Sequence, residues 1–558
     1  MAAIRGDAEE HALLMRAADL ARARLVRSEG DLERLFTQLG HDDDRAVLTR
    51  LRQIYEAGGW VLVESAIADL PADLRWLYES DAVTLAELAA IHAATGATSA
   101  ADLAAAVVEH RIAAIADAGP DVEDRIRAAL PNLRALVPRI ALGRAAALAE
   151  PFLTALRGMP QVAWAEPTGS LRRGEDMIGD VEILAPSADP AAVLDAVLRL
   201  PHSSRALYRS ERRVYVLSER AQVAVRVPEP SGAGAPQLYL TGSIGHIDAL
   251  RAHAQTRGMT LGPSGLVAAD GTALAASIED EIYGALDLPC IPVEIRQGGG
   301  EVAAAARGEL PRLVARGDIR GDLHMHSTYS DGRDTIETMV EASRALGYEY
   351  IAITDHSQRS AAAHNLTVDD VRRQADEIAG LRERYANIAI LHGCEVDILP
   401  DGRLDFVDQV LSRFDVVLAS LHDAAGHGPD QLLKRYSAAM NHPLVTLITH
   451  PSNRMVPHRR GYDIDYDRLF DIAVQTATIV EVDGAPGHLD LDGALARRAV
   501  AAGATLVINS DCHRAELLDR QMAFGITMAR RGWVEPRHVV NTRPLDAVRA
   551  AIVAKRSR

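Results

Sequence analysis

The spacing of apolar positions changes twice along the chain. Up to about residue 145, Leu and Ala recur at helical spacing among charged residues, with few β-branched runs, which predicts a helical region. From about residue 146, short β-type segments such as IGDVEILAP, RRVYVLSE and QVAVRVP occur with the helical segment AAVLDAVLRL between them. From Asp322 onward, apolar strand-like segments alternate with helical ones. Such alternation predicts a parallel α/β barrel.

These changes predict several domains, as the length of 558 residues also suggests. The predicted fold class is multidomain, with a helical and α+β N-terminal half and a C-terminal α/β barrel. The predicted parts are a helical region over 1–145, an α+β domain over 146–229, a mixed domain over 230–300, a linker over 301–320 and the barrel over 321–558.

Charge restricts the chemistry of the chain. The formal net charge of −17 argues against a generally basic coat for nucleic acid, so that any DNA binding must rely on local patches. Arginine supplies nearly all the positive charge, because the only lysines are Lys434 and Lys555. A catalytic lysine Schiff base is therefore excluded from the first 433 residues.

The three cysteines, Cys290, Cys394 and Cys512, are too few and too far apart for a disulfide framework or a zinc finger. The charged, amphipathic N-terminus does not resemble a signal peptide, and no apolar run reaches membrane-spanning length. We therefore expect a reducing cytoplasm and no membrane partner.

Histidine and carboxylate residues occur where the predicted barrel strands end. The segment DLHMHSTYSDG carries two histidines spaced by two, which point to one face, and later segments carry TDH, HGCEVD, SLHD, THP and SDCH. The carboxyl ends of parallel strands converge on one face of a barrel. The candidate metal ligands are His324, His326, Asp331, His356, Glu395, His422, His450, Asp511 and His513.

Nine ligands exceed the needs of one tetrahedral ion and suit a cluster of two or three, which activates water and clamps a phosphate. Imidazole and carboxylate favour manganese or zinc, with iron as a further candidate. A buried or capping role is the better interpretation for one histidine, but not for nine residues at matching strand ends. We interpret the histidines that fit no strand end as surface or loop residues, and Cys394 and Cys512 as core residues; these histidines are His364, His427, His442, His458 and His488.

Residues 321 to about 530 resemble a PHP (polymerase and histidinol phosphatase) domain, whose motifs appear here in the family's order. The resemblance implies a distorted (β/α)7 barrel with a trinuclear metal site. It implies no ligand on TIVEVDG, so Glu481 and Asp483 are not expected to bind metal. It assigns one ion to His324, His326, Glu395 and Asp511, a second to Glu395, His422 and His450, and a third to Asp331, His356 and His513.

Residues 1 to about 300 resemble bacterial family X DNA polymerases in the motifs GSLRRG, IGDVEIL and YLTGS. The resemblance makes 146–229 a palm-like nucleotidyltransferase domain and 230–300 a thumb-like domain. Asp180 and Glu182 stand where the family has Asp-x-Asp for its catalytic metals. The implied nucleotide-binding residues are Gly169, Ser170, Arg173 and Gly179.

This half departs from the family pattern at several places. The third carboxylate position is Ala224, whose methyl group cannot ligate magnesium. Ile247 stands where the family has Asn, and Gly58 and Gly59 are a poor remnant of the helix–hairpin–helix glycines in the degenerate DNA-binding-like region. We predict that polymerisation is lost, which leaves magnesium and a dNTP as weakly supported ligands of this half.

The leading functional hypothesis is a metal-dependent phosphoesterase that acts on DNA 3′ ends, gaps or nicks, as a 3′–5′ exonuclease or a 3′-end-cleaning repair enzyme. The alternatives are an active family X polymerase with exonuclease activity, a small-molecule phosphatase of the histidinol-phosphate type, and a non-catalytic scaffold. A monomer is the default expectation. Five arginines near the palm-like strands would either contact DNA phosphates or pair with acidic residues: Arg172, Arg173, Arg212, Arg213 and Arg226.

Overall fold

A computed structural model of the chain forms two compact units. The first comprises residues up to Ile140, with Arg144–Arg172 and Ile178–Cys290, and the second comprises Ala141–Gly143, Arg173–Met177 and Ile291–Arg558. Gly58, Gly59 and His364 lie outside the described residues. The structure describes Glu9, residues 12–16, Val47, Thr49, and residues 70–80, 82–115, 121–136 (without the side chains of 132–136), 139–219, 221–360 and 365–557.

The first unit contains a small bundle of helices that share one apolar core, which includes Leu74, Leu88 and Leu103. Capping boxes begin the second and third helices, where Thr84 and Ser99 each accept a backbone hydrogen bond. Within the described part of the chain no single helix is long and apolar enough to span a membrane. The second and third helices, with a bend of 73° between them, together have the length and composition of a span. The helices are α1 (Ala72–Glu79), α2 (Leu85–Thr95), α3 (Ala100–Val108) and α4 (Val122–Leu136).

A five-stranded sheet follows, in the order β2-β4-β7-β6-β5, in which β4 and β7 are parallel and the other pairs are antiparallel. β-branched residues fill several of its buried positions, such as Val181, Ile183 and Val225, as is common in strands. Its elements and their neighbours are β1 (Ile140–Ala141), α5 (Leu142–Arg157), β2 (Glu166–Pro167), α6 (Gly169–Arg172), β3 (Met177–Ile178), β4 (Val181–Leu184), α7 (Pro190–Leu198), β5 (Arg205–Arg209), β6 (Arg213–Ser218) and β7 (Ala221–Arg226).

The first unit ends in a small helical part with one hairpin. A 3₁₀ turn at Pro230–Gly232 leads into it, and β8 and β9 pair antiparallel. The elements are α8 (Gly234–Thr241), α9 (Ile244–Thr256), β8 (Thr260–Gly262), β9 (Gly265–Val267) and α10 (Glu279–Ala285).

The second unit is a nearly closed barrel of seven parallel strands, paired in chain order from β10 to β16. A parallel bridge between Met325 and Cys512, just beyond the first and last strands, brings the two edges together. The strands are β10 (Gly321–Asp322), β11 (Tyr350–Ile353), β12 (Ala389–Asp397), β13 (Val416–Ser420), β14 (Leu447–Ile448), β15 (Ile479–Asp483) and β16 (Leu506–Asn509).

Helices alternate with these strands, which confirms the predicted fold class. Each strand is buried, and the core contains Leu323, Leu391 and Leu418 from three of the strand segments. Short 3₁₀ turns occur at Val293–Ile295, Arg316–Asp318, Ala515–Leu517, Pro536–His538 and Val540–Thr542. The helices are α11 (Glu301–Ala306), α12 (Ile336–Ala345), α13 (Val368–Arg384), α14 (Asp408–Leu411), α15 (Pro429–Asn441), α16 (Tyr466–Thr476), α17 (Gly493–Ala501), α18 (Leu518–Arg531) and α19 (Leu545–Arg556).

Candidate functional site

The nine candidate ligands lie together at the carboxyl ends of the barrel strands. His324 and His326 follow β10 rather than lying within it, and the intervening Met325 bridge keeps both side chains on one side. His422 and His450 each come two residues after a strand, and Glu395 lies inside the long strand β12. The strand ends therefore bring side chains that are far apart in sequence to one end of the barrel.

Glu395 lies at the centre of the cluster. Its Oε1 is 2.9 Å from His450 Nε2 and 3.2 Å from His422 Nε2. Its Oε2 is 2.8 Å from His356 Nδ1 and 3.5 Å from His324 Nε2. One carboxylate thus faces four imidazoles, which suits it to bridge metal ions.

Two further groups of potential ligand side chains lie near Glu395. The Oδ1 of Asp511 is 3.0 Å from His326 Nε2 and 3.4 Å from His324 Nε2, while the two histidine Nε2 atoms are 3.1 Å apart. On the other side, Asp331 Oδ1 is 3.2 Å from His513 Nε2. These groups of ligand atoms share more residues than the three ligand sets implied by the resemblance. His326 is also close to Asp331 and His513, and His356 is also close to Glu395.

The donor atoms fit divalent ions. Glu395 Oε2 and His356 Nδ1 are buried and have no hydrogen-bond partner within the described part of the chain. Glu395 Oε2 and His356 Nδ1 are 2.8 Å apart but are not aligned as a hydrogen bond. Such converging, unsatisfied atoms are uncommon in folded proteins and are expected of ligands.

The electrostatics of the site also suit cations. Burial by itself would raise the pKa of Glu395, but the neighbouring His356 and His422 lower that pKa well below its ordinary value. Burial and the nearby His513 and His356 lower the pKa of His326 to about 3. Glu395 is therefore ionised and His326 neutral at neutral pH. Burial lowers the pKa of His422 and His513, but the nearby carboxylates raise the pKa of both to about 9, so a metal ion would have to displace protons from these rings.

The opening of the site lies on one side. His324, His326 and Glu395 are fully buried, whereas the side chains of Asp331 and His513 are 29% and 34% exposed. Among these residues, solvent therefore reaches the site at Asp331 and His513.

Two carboxylates that the sequence analysis did not place in the site orient the histidines. Glu481 accepts hydrogen bonds from His324 Nδ1 at 2.8 Å and from the His450 backbone N–H at 2.9 Å. Asp397 Oδ1 accepts one from His422 Nδ1 at 2.8 Å. These bonds leave the Nε2 atoms to face the cluster, as is usual around metal-binding histidines. The spacing of Asp397 two residues after Glu395 was a usable signal, since it places both on one strand face.

The interpretation of His488 as a surface or loop residue is wrong in one respect. It follows β15 in a loop, but its ring stacks on His450 with centroids 4.9 Å apart, and burial lowers its pKa to about 4. Its side chain lies with Asp483 and Asp511 in a further group of potential ligands. The sequence did not reveal this because His488 stands five residues beyond the strand end.

Backbone constraints shape two of the ligand turns. His450 and Asp511 have φ angles of 28° and 48°, in the left-handed region that residues other than glycine rarely adopt. At Gly332, an added Cβ would lie 2.7 Å from the backbone carbonyl carbon of His326. The loop that carries Asp331 therefore requires glycine next to it.

The five-stranded sheet shows the surroundings of Ala224, the predicted position of the third carboxylate. Glu182 on β4 pairs in register with Ala224 on the parallel strand β7, and Ala224 faces Tyr215 on β6. Ala224 is buried with Tyr208 and Tyr215 in a small apolar cluster. An apolar contact thus occupies the position of the third acid.

Glu182 is itself engaged by other side chains. Its Oε1 pairs with Arg226, and its Oε2 accepts a hydrogen bond from Thr168 Oγ1 at 3.2 Å. Arg226 is 8% exposed and also contacts Asp102 Oδ1 on α3 at 2.6 Å. Both oxygens of Glu182 are therefore occupied, and the residues present do not fit a magnesium ion at this position.

The five arginines are paired with carboxylates, as the second alternative in the sequence analysis stated. Arg213 contacts Asp102 at 2.7 Å, so Asp102 binds two guanidinium groups. Because Arg226 is buried, its proposed contact with a DNA phosphate is not available in this conformation. The remaining pairs are Arg172 with Glu166 and Glu279, Arg173 with Glu175, and Arg212 with Glu229.

The remaining candidate residues of this half lie in short segments around β4. Gly169, with a φ of 59°, and Ser170 begin α6, and Gly179 and the exposed Asp180 precede β4. The left-handed backbone at Gly169 favours glycine at that turn. Ile247 is buried on α9. These positions remain a prediction as a nucleotide site.

Comparisons with known proteins agree with this arrangement. Residues 322–482 match the model of the PHP domain, and residues 237–297 match that of the DNA polymerase beta thumb. A "Probable phosphatase" from Syntrophotalea carbinolica is 26% identical over 231 residues, which cover 39% of this chain and 90% of that protein. A solved histidinol phosphate phosphatase from Lactococcus lactis, complexed with Zn, L-histidinol and phosphate, covers 39% of this chain and 94% of its own at 15% identity and a TM-score of 0.30.

The similarity to one relative extends over both halves. The "DNA polymerase/3'-5' exonuclease PolX" of Bacillus subtilis is 33% identical over 504 residues, which cover 90% of this chain and 88% of that protein. Because 90% of the chain is covered, the alignment includes parts of both the five-stranded sheet and the barrel. The chain therefore belongs to the PolX family, whose members join a family X polymerase-like half to a C-terminal PHP domain.

Proposed function

We propose that the barrel is a metal-dependent 3′–5′ exonuclease that acts on DNA 3′ ends, at gaps or nicks. The observation that carries this proposal is the convergence of eight other candidate ligands around the buried Glu395. The PolX relative bears exonuclease in its name, and its similarity covers most of this chain. DNA is therefore the proposed substrate class.

We propose two to three manganese or zinc ions as cofactors, with iron as a further candidate. When bound, such ions activate water and stabilise the charge of the phosphoryl group. The residues proposed to hold them are the nine of the sequence analysis: His324, His326, Asp331, His356, Glu395, His422, His450, Asp511 and His513.

The protein residues contribute orientation and exclusion of water. Glu481 and Asp397 fix the rings of His324 and His422. The neighbouring His356 and His422 hold Glu395 ionised in spite of its burial. The partly exposed Asp331 and His513 lie where the end of a strand would enter.

The direct test is hydrolysis of a 3′-labelled DNA primer by the full-length chain with manganese. We expect stepwise release of label from the 3′ end. A small phosphomonoester is assayed in parallel, because the PHP relatives include proteins named as phosphatases that match only this part of the chain. Turnover of the monoester with an intact primer would establish the small-molecule phosphatase instead.

We propose that the polymerase-like half does not add nucleotides. Glu182 is held by Arg226, and Ala224 lies in register beside it. With a gapped primer–template, dNTPs and magnesium or manganese, we therefore expect no robust extension in a gel assay. Template-directed extension that Asp180→Ala abolishes would establish an active polymerase.

A lyase reaction through a lysine imine is also not expected in this half. The first lysine in the chain is Lys434, so no lysine amine before it is available to form an imine with a deoxyribose phosphate. Borohydride reduction in the presence of an abasic DNA should leave all peptides before Lys434 unmodified in mass spectrometry. An adduct mapped to the first 433 residues would contradict this prediction.

We also propose a reducing cytoplasmic location, which is supported by three cysteines that form no disulfide with one another. A dNTP as ligand and a monomeric state remain predictions from the sequence.

A further inference from the structure

A second group of potential ligands adjoins the nine-residue site. Asp483, His488 and Asp511 each offer one ligand atom, and these atoms lie within 4.8 Å of one another. Asp483 ends β15, and His488 lies in the loop that follows it. Only Asp511 belongs to the nine candidate ligands, so the other two side chains need a separate explanation.

Asp483 has an unsatisfied oxygen. Its side chain is fully buried, and Oδ1 accepts a hydrogen bond from the Ala485 backbone N–H at 2.6 Å. Its Oδ2 is buried and has no hydrogen-bond partner among the residues that the structure describes. Buried polar atoms are nearly always hydrogen-bonded, and exceptions often bind an ion.

His488 is held in the form that binds a cation. Its Nδ1 lies 3.1 Å from the backbone carbonyl oxygen of Arg454, which can only accept, so Nδ1 carries the hydrogen. The lone pair is then on Nε2, as in histidines whose other nitrogen is fixed by a carbonyl. Stacking on His450, with an angle of 17° between the rings, holds the plane of the imidazole.

We propose that Asp483, His488 and Asp511 bind an additional divalent transition-metal ion. Two carboxylates and one imidazole are ligands that manganese, zinc and iron accept. Asp511 would be shared with the ions of the nine-residue site. Because of this shared ligand, the proposal rests in part on the proposed hydrolase function. Because His488 lies in a loop, this ion binds more weakly than those around Glu395.

The test is a manganese titration of the full-length, chelator-treated chain, with free Mn²⁺ followed by electron paramagnetic resonance. The variants are Asp483→Asn and His488→Gln, which preserve size, and the matched control is His442→Gln, at a histidine that contacts Asp408 away from the cluster. We expect each variant to bind one equivalent of Mn²⁺ fewer than the wild type. The more tightly bound ions around Glu395 should be retained. The control should match the wild type.

If either variant binds the same number of Mn²⁺ ions as the wild type, with the same titration curve, the proposal of a three-residue site is refuted. His488→Gln keeps the test decisive if Asp483→Asn fails to fold, because His488 lies in a loop. Exonuclease activity is measured on the same preparations. If each variant binds one equivalent of Mn²⁺ fewer than the wild type, but the wild type hydrolyses no primer, the proposed function is refuted and the three-residue site stands.

Discussion

Replacing His324 and His326 together by Ala is expected to reduce primer hydrolysis by about 10³-fold or more. Both Nε2 atoms face Asp511 Oδ1, and both rings are fully buried, so their loss removes one side of the proposed metal site. Metal stabilisation of several kcal/mol corresponds to a rate loss of that order, at about 1.4 kcal/mol per tenfold. The measurement is the rate of label release with manganese.

The matched control is His442→Ala with His458→Ala, which removes two histidines that lie away from the cluster. This double variant should retain wild-type hydrolysis. Hydrogen exchange of the barrel strands β11 and β13 should remain slow in both proteins, which separates loss of metal from unfolding of the barrel. Full activity in the His324/His326 variant would refute the assignment of the barrel as the hydrolytic centre.

Replacing Asp102 by Asn is expected to destabilise the first unit by about 3–5 kcal/mol, the usual cost of removing one partner from a buried ion pair. Asp102 is 11% exposed, contacts Arg213 and Arg226, and also caps α3 through its bonds to Thr98 and Ser99. Its neutralisation leaves two guanidinium groups without their shared carboxylate. Hydrogen-exchange mass spectrometry on peptides of α3 and β7 measures the opening free energy locally.

The control is Asp121→Asn, because Asp121 is 67% exposed in its pair with Arg125. Exposed pairs of this kind contribute about 0–1 kcal/mol, so little change is expected there. A loss at Asp102 no larger than at Asp121 would contradict the importance of the buried cluster.

The stabilisation that Asp102 contributes should decrease at acidic pH. Burial by itself would raise its pKa, but Arg226 and Arg213 lower the pKa of Asp102 well below its ordinary value. Its contribution is therefore fully present above about pH 4, the ordinary range of aspartate, and is lost as the pH falls toward the folded-state value. The difference between the wild type and Asp102→Asn should shrink below about pH 4, as followed by the same exchange measurement.

Much of the barrel could be predicted from the sequence because its pattern is local and repeated. Apolar segments such as those of β11 and β13 are followed by a histidine within three residues, and parallel strand ends must meet at one end of a barrel. The fold class followed from that alternation. The resemblance to PHP domains then added ligand sets that spacing by itself does not assign.

The role of Glu481 could not be predicted in the same way. Its segment carries two acids spaced by two, which is compatible with ligation, solvent exposure or hydrogen bonding. Only the packing of β14 against β15 places Glu481 within reach of His324 and the His450 backbone. His488 was missed for a similar reason, since a loop residue has no fixed direction in the sequence.

By itself, the sequence determined the barrel and the residues at its strand ends, because both depend on residue type and spacing. The tertiary structure alone decided which charges meet. Asp102 lies on a helix more than a hundred residues before Arg226, yet it binds that arginine, and Arg226 in turn binds Glu182. Ion pairs act over a few ångströms and depend on how separate elements pack, so no local pattern specifies them.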